Sequence, residues 1–489
     1  MAVISKSKYL VGLQCPKLLW YQYNRKGELP PNTPFLEALF AEGRKVGALA
    51  QQLFPGGILI ERDFNPQRQD AKSYAALAAR QPLFEAGFLY DGAYALADIL
   101  VPVGEDEWDL IEVKSSTKVK DEHYRDAAFQ KYVYSSRGLK LRHTYLLFMN
   151  REYVRHGALD IQQLFTREEL SEGIAPFLPN IGAELEQLQA VIAGPEPLTA
   201  VGKQCSDECP LYDRCWQFLP EGHVFILRGQ RDVAFDLMER GVLKLKDIPA
   251  DYELNEKHTI QVESHRTKEP FVDRESLREF LGMLKYPYYY LDFETIAPPV
   301  PIYDGTRPYE DVPFQYSLHI VAKEGAKPEH YSFLAPGDVD PRPEVLRRLR
   351  ELIKPGGSII AYNADYEKGR IKTAAEAFSE YDAWYQAIKE DFVDLLIPFR
   401  KFFYYHPAQG KSASMKEVLP ALTGITYDGL EIGEGGLARY EYMRVTYGEN
   451  VAEADRQKVR NALEQYCELD TRAMIEILQV LKEAVLAER

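Results

Sequence analysis

Two apolar stretches, Tyr94 to Val101 and Trp108 to Val113, read as strands, and the polar Gly104 to Glu107 between them reads as the turn of a hairpin. Just downstream, Gln130 and Tyr134 fall four apart on a predicted helix. Ile181, Leu185, Leu188, Val191 and Ile192 recur at helical spacing, and a Pro- and Cys-rich loop follows from about 195 to 220. From Phe235 to Leu245 the pattern is helical again before Asp247 to Pro270 turns polar. At Pro287 the run PYYYLDF begins, and its apolar residues from Tyr288 to Phe293 predict a buried strand. IIAYNADYEKGRI then predicts strand, turn and helix start, and NALEQYCELDTRAMIEIL predicts an amphipathic helix. The expected class is α/β, with an α/β domain over residues 1–220, a helical connector over 221–284 and a second α/β domain over 285–489.

Length agrees, because 489 residues exceed what one hydrophobic core serves. With 46% apolar and 27% charged residues the composition is that of a soluble globular chain, and it holds no repeat and no low-complexity tract. No stretch approaches the roughly 18 apolar residues of a membrane span, and Lys6 and Lys8 interrupt the first residues so that no signal segment forms. A cytoplasmic protein with no membrane partner is expected. A net charge of −15 argues against a protein that coats nucleic acid through a globally basic surface. It leaves room for a nuclease, whose sites concentrate carboxylates and whose bound cations reverse the local sign. Lys6, Lys8, Lys17, Arg25, Lys26, Arg44 and Lys45 could form a local basic groove.

On the hairpin, Asp98 faces the second strand, where Glu112 and Lys114 are two apart and so leave the same face. Two carboxylates and an ammonium thereby converge. Phosphodiester hydrolysis uses such a spot, because carboxylates hold Mg²⁺ or Mn²⁺ and a lysine can position water or stabilise charge. The series D-x13-E-V-K followed by Q-x3-Y resembles the PD-(D/E)XK nucleases of the RecB type over roughly residues 1–220. That resemblance implies Asp98 and Glu112 as metal ligands, Lys114 as the catalytic lysine, Gln130 and Tyr134 as accessory residues, and Glu85 as a further carboxylate. Many relatives carry a metal-binding His on an early helix. Here no His precedes His123, and Glu42 could take its place.

Cys15 stands alone in QCPKLLW, whereas Cys205, Cys209 and Cys215 form C-x3-C-x5-C. Four thiolates in a reducing compartment suit metal rather than disulfides, and either Zn²⁺ or an iron–sulfur cluster would serve. One distant cysteine plus a triplet resembles the iron–sulfur nucleases, including the CRISPR-associated RecB-like family, and implies a structural [4Fe–4S] cluster closing a loop of roughly 190 residues. Cys467 stands apart as an expected inert buried thiol.

LDFET puts Asp292 and Glu294 on one face at the end of a buried strand, where acidic residues are costly unless they bind something. Asn363 and Glu367 follow from the end of another strand, and Tyr466 and Asp470 share a helix face. D-x-E, N-x-x-[FY]-[DE] and Y-x3-D, in that order, resemble the tyrosine subgroup of the DEDD exonucleases over about residues 286–485. The resemblance implies an RNase H-like sheet, two metals held by Asp292, Glu294, Glu367 and Asp470, and Tyr466 orienting the attacking water. Most relatives have Asp where Glu367 stands, so Asp365 is an alternative ligand. The function expected from both halves is a dual-site, Mg²⁺- or Mn²⁺-dependent nuclease with a 3′→5′ exonuclease, acting on DNA in preference to RNA, in repair, recombination or defence. The rivals are an RNA-processing exonuclease and a nucleic-acid-binding protein with one decayed site.

Overall fold

A computed structural model describes residues 1–229, 231–337 and 339–487. The chain is mixed α/β and divides into two compact units. Met1–Trp216 and Pro298–Glu310 make the first; Gln217–Ala297 and Asp311–Arg489 make the second. The division nearest the expected boundary of 220 falls after Trp216, and the expected connector, 221–284, lies within the second unit.

In the first unit, β1 (Ile4–Ser5), β2 (Ile58–Leu59), β3 (Leu83–Tyr90), β4 (Ala93–Val103), β5 (Glu107–Lys114), β6 (Lys140–Met149) and β7 (Phe165–Glu169) form one sheet. Its order is β2-β3-β4-β5-β6-β7. The hairpin expected from the sequence is β4 and β5, paired antiparallel from Ile99↔Ile111 to Val103↔Glu107. Pairing stops there, so the strands part at Asp98 and Glu112, and β1 takes the freed edge of β4 at Ala93 and Tyr94. The helix Asp121–Ser136 carries the chain from β5 to the parallel β6, burying Phe129, Val133 and Tyr134 with Phe88 and Leu110. On the other face Val46 and Ala50 of the helix Pro34–Gln51 pack with Phe84, Ile99, Ile111 and Met149. Val300 joins that second layer, and the Arg155 guanidinium donates to the carbonyls of Pro301 and Ile302 at 2.8 Å each. These contacts are why residues 298–310 belong to the first unit.

In the second unit β8 (Phe271–Val272) lies beside the later β14 (Tyr404–Tyr405). The main sheet consists of β9 (Tyr288–Ile296), β10 (Val312–Val321), β11 (Glu329–Leu334), β12 (Ile359–Ala361) and β13 (Phe392–Asp394), in the order β11-β10-β9-β12-β13. Pairs β9–β10 and β10–β11 are antiparallel, and β9–β12 and β12–β13 are parallel. Both faces of β9 are covered, which explains its unbroken apolar run. Tyr289, Leu291 and Phe293 pack with Leu346, Leu349 and Ile371, while Tyr288 and Tyr290 pack with Met474, Ile477 and Leu481 of the long helix Glu453–Leu486.

The helix expected over 235–245 runs instead over Arg231–Glu239. Gly241 stops it: with φ +79 it lets its own N–H reach the Met238 carbonyl and the Val242 N–H reach the Leu237 carbonyl. Val224, Leu237, Leu245, Ile248 and Val262 then form a small core of their own. Among the described residues no helix is long and apolar enough to cross a membrane.

Candidate functional site

Where β4 and β5 part, the five residues singled out in the first unit come together. Asp98 Oδ2 accepts the Val113 N–H at 2.7 Å. Glu112 Oε2 accepts from Gln130 Nε2 at 2.6 Å, and its Oε1 takes Lys114 Nζ at 2.8 Å. The Tyr134 hydroxyl is buried beside them, its proton held first by burial and then by the charges of Glu112 and Asp98. Two participants were not singled out for this site in the sequence. Lys6 bonds Glu112 Oε1, and Asp126 Oδ2 accepts from Lys114 at 2.6 Å. Lys6 lies 106 positions before Glu112, a separation no local motif can span. Burial alone would raise Glu112, but Lys114 and Lys6 outweigh it and hold the carboxylate below its usual range. Asp98 goes the other way, raised by burial and then by Glu112.

Glu85 lies on β3 at the ladder position opposite Asp98. The ladder passes from Phe84↔Ile99 to Ala86↔Ala97 without pairing Glu85, whose φ of +56 is left-handed. That conformation costs a non-glycine residue roughly 1–2 kcal/mol, and the buried Gln69 compensates by donating to the Glu85 carbonyl at 3.0 Å. Burial raises the Glu85 carboxyl, Arg62 lowers it and Glu112 raises it again. Glu42, the residue considered in place of a histidine, lies on the helix Pro34–Gln51 near Tyr309, whose hydroxyl donates to the Ser115 carbonyl.

The cysteine frame is part of the same unit. Cys15 closes the helix Lys6–Gln14 and opens the helix Pro16–Asn24, its sulfur accepting the Leu18 N–H at 3.4 Å. Cys205 accepts the Gly202 N–H at 3.5 Å, and Gln14 reaches the Gln204 carbonyl at 3.3 Å, joining the N-terminal segment to the triplet loop. Cys209 and Cys215 pack with Trp20, Tyr21 and Leu211. Burial raises both thiols, and Cys15 and Cys205 are among the neighbours that raise them further. Among the described residues no disulfide forms and no three of these sulfurs gather within 4.8 Å.

The second constellation converges as well. Asp292 and Glu294 project from β9 on the face covered by the helix Glu453–Leu486, which brings Asp470, and one carboxylate oxygen from each lies within 4.8 Å of the others. Glu367, on the first turns of the helix Ala364–Ala377, is buried, has an Oε2 without a hydrogen-bond partner, and is raised by burial and then by Asp292 and Glu294. Asp365 is exposed on the same helix, whereas the buried Glu367 has Asp292, Glu294 and Asp470 among its charged neighbours. Asn363 is the N-cap residue of that helix, with φ +80; its backbone N–H donates to Asp394 Oδ1 at 2.9 Å and its side-chain oxygen accepts from Arg400 at 3.5 Å.

Burial is the first cause of elevation in all four acids, and mutual repulsion adds to it in Asp292, Glu294 and Glu367. Asp470 is pushed up to about 7 by burial against the opposing effects of Tyr427 and Lys416. Tyr427 donates to Asp470 Oδ1 at 2.5 Å, a partner not singled out in the sequence. Tyr466 is buried beside the carboxylates, and a side chain built at Gly435 would place its Cβ 3.8 Å from Glu294 Oε2 and 4.0 Å from the Tyr466 hydroxyl. Lys416 lies 5.4 Å from the Tyr466 ring centre and 5.6 Å from that of Tyr427. Cys467 is buried as expected, but its sulfur lies 3.7 Å from Asp292 Oδ2 as a weak donor, and burial followed by Asp292 keeps it a thiol.

Four shielded carboxylates this close cannot all carry charge in a dry site unless cations join them. The orphaned Glu367 oxygen and the all-oxygen donor set fit hard divalent ions such as Mg²⁺ or Mn²⁺.

Residues 289–414 match a family described as a domain of unknown function, DUF2779. That span holds Asp292, Glu294 and Glu367 and ends before Tyr427, Tyr466 and Asp470. The chain is also similar to the uncharacterized protein MG366 homolog of Mycoplasma pneumoniae, 24% identical over 269 residues. The similarity covers 51% of this chain and 40% of that protein's length.

Proposed function

We propose that this protein is a metal-dependent nuclease with two sites, a RecB-like PD-(D/E)XK site in the first unit and a DEDD-type 3′→5′ exonuclease with an RNase H-like sheet in the second. The observation that carries the reading is the convergence of Asp292, Glu294, Glu367 and Asp470 from a strand and two helices, with Tyr466 buried beside them. Mg²⁺ or Mn²⁺ bound there would activate water and neutralise charge on the phosphate. Asp292, Glu294, Glu367 and Asp470 would hold the ions, and Tyr427 fixes the Asp470 rotamer through its hydroxyl. Burial and the nearby Asp470 and Glu294 keep the Tyr466 phenol protonated, so it remains available as a donor that orients the attacking water.

In the first unit Asp98, Glu112 and Glu85 would hold a cation, Lys114 would stabilise charge, and Gln130 and Tyr134 would position Glu112 and phosphate. Cys15, Cys205, Cys209 and Cys215 would hold a structural [4Fe–4S] cluster. DNA is the favoured substrate, with repair, recombination or defence as the setting.

The deciding experiment digests 5′- and 3′-end-labelled DNA and RNA with the purified protein and Mn²⁺. Early release of the 3′ label, faster from DNA, is the expected result. No release from either polymer would remove the nuclease reading, and faster release from RNA would move the protein to RNA processing.

A further inference from the structure

One strand away from the carboxylates, a second group of ligating side chains lies under the same long helix. His319 on β10 and His330 on β11 are directly paired across the antiparallel ladder, their rings stacked with centroids 4.4 Å apart. Glu468, from the helix Glu453–Leu486, completes the set, and one ligand atom from each of the three lies within 4.8 Å of the others. Nothing in the nuclease reading uses them.

The hydroxyls behind the rings admit an arrangement of protons that leaves a lone pair on each imidazole. Thr471 Oγ1 donates to the Glu468 carbonyl at 3.1 Å, which uses its only hydrogen. In that arrangement it accepts at its other two contacts, from Ser317 Oγ at 2.7 Å and from His319 Nδ1 at 2.8 Å. Ser317 has then spent its hydrogen as well, so the 2.9 Å contact with His330 Nε2 is one in which the imidazole donates. Both outer nitrogens carry protons. The lone pairs are left on His319 Nε2 and His330 Nδ1, and the latter lies 3.9 Å from Glu468 Oε1. Imidazole ligands of metals are held in this way, with the far N–H tied to an oxygen so that tautomer and ring direction are fixed before the ion arrives.

We propose that His319, His330 and Glu468 form a binding site for a borderline divalent ion of the Zn²⁺ type, distinct from the all-carboxylate site. Two imidazoles and a carboxylate suit Zn²⁺ or Co²⁺ over Mg²⁺, whose preference is for oxygen. Glu468 is about half exposed at 50%, so solvent can reach the ion and complete its coordination. The ion would fasten β10 and β11 to the helix that also carries Tyr466 and Asp470. Arg472, exposed one turn beyond Glu468, is a cation near His319 and opposes occupancy.

The test uses the full-length protein, purified anaerobically and freed of loosely held metal, in excess Mg²⁺ to fill the carboxylate sites. Zn²⁺ titrated into it should bind with one equivalent that weakens at least tenfold in His330→Ala and in Glu468→Gln, both changes at exposed positions, and tightens in Arg472→Ala. X-ray absorption at the zinc edge of the singly loaded wild type should show two imidazole shells. That measurement decides the matter even where a variant misfolds. Unchanged zinc binding in both ligand variants, or a zinc edge showing sulfur or oxygen ligands without imidazole, would overturn the assignment.

Discussion

Asp470→Asn tests the electrostatic reading of the carboxylate cluster because it separates stability from activity. The carboxyl titrates near 7 in the folded chain against an ordinary value of 3.8. Between those values the folded state keeps a proton that the unfolded state has released. The stability it contributes is therefore whole below about pH 4 and is lost as the pH rises through 7. A difference of roughly three units at about 1.36 kcal/mol each makes the ionised group cost about 4 kcal/mol above pH 7, an upper figure since burial is never perfectly dry. Asparagine keeps the acceptor for Tyr427 and removes the charge. In EDTA at pH 8 the variant should be more stable than wild type by about 2–4 kcal/mol, and at pH 4 the two should converge. At roughly 2–4 °C per kcal/mol for a unit of this size, the melting temperature should rise by several degrees. Mn²⁺ should then stabilise the wild type and leave the variant nearly unmoved. Thermal denaturation at both pH values, with and without Mn²⁺, reads all of this. A variant less stable than wild type at pH 8 in EDTA, or one that gains as much from Mn²⁺, would refute the crowded-carboxylate argument.

Independent silencing of the two sites comes next: Asp292→Ala should abolish release of 3′-terminal nucleotides, while Lys114→Ala should remove only first-unit cleavage, by about 10²-fold or more, and end-labelled substrates distinguish the two. If Lys114→Ala alone stopped 3′ release and Asp292→Ala did not, the second unit would have to be read as a binding module. Tyr466→Phe should be milder than Asp292→Ala, since it loses water orientation and keeps every carboxylate; equal losses in single-turnover rates would contradict the role given to the phenol. Protein isolated without oxygen should be brown with absorbance near roughly 400 nm, and Cys209→Ser should bleach it and lower the melting of the first unit while the second still unfolds at its own temperature. Colourless wild type holding stoichiometric zinc would replace the cluster with zinc.

Elements whose pattern is local could be read from the sequence. The two apolar stretches of the β4–β5 hairpin, the continuous apolar run of β9 and the four-residue spacings of Gln130 with Tyr134 and Tyr466 with Asp470 each lie within one element. Chain entry points were harder. Lys6 reaches Glu112 only because β1 takes the edge that β5 leaves, and Tyr427 reaches Asp470 from a segment with no regular pattern. The choice between Asp365 and Glu367 needed the helix to be placed, since both sit on its first turns and only burial separates them. The left-handed backbone at Glu85 was equally invisible, because the residue bonded to its carbonyl, Gln69, comes from a helix earlier in the chain.

The excursion of residues 298–310 changes what can be cut from this protein. A gene fragment stopped at Trp216 would encode a first unit whose Arg155 has lost the carbonyls of Pro301 and Ile302 and whose apolar layer has lost Val300. A fragment begun at Gln217 would carry those thirteen residues away from their packing partners, directly after the strand bearing Asp292 and Glu294. Because the chain passes between the units at three places rather than one, a self-sufficient first unit requires the excursion to be grafted back, and a clean second unit requires it to be replaced by a short turn joining Ala297 to Asp311.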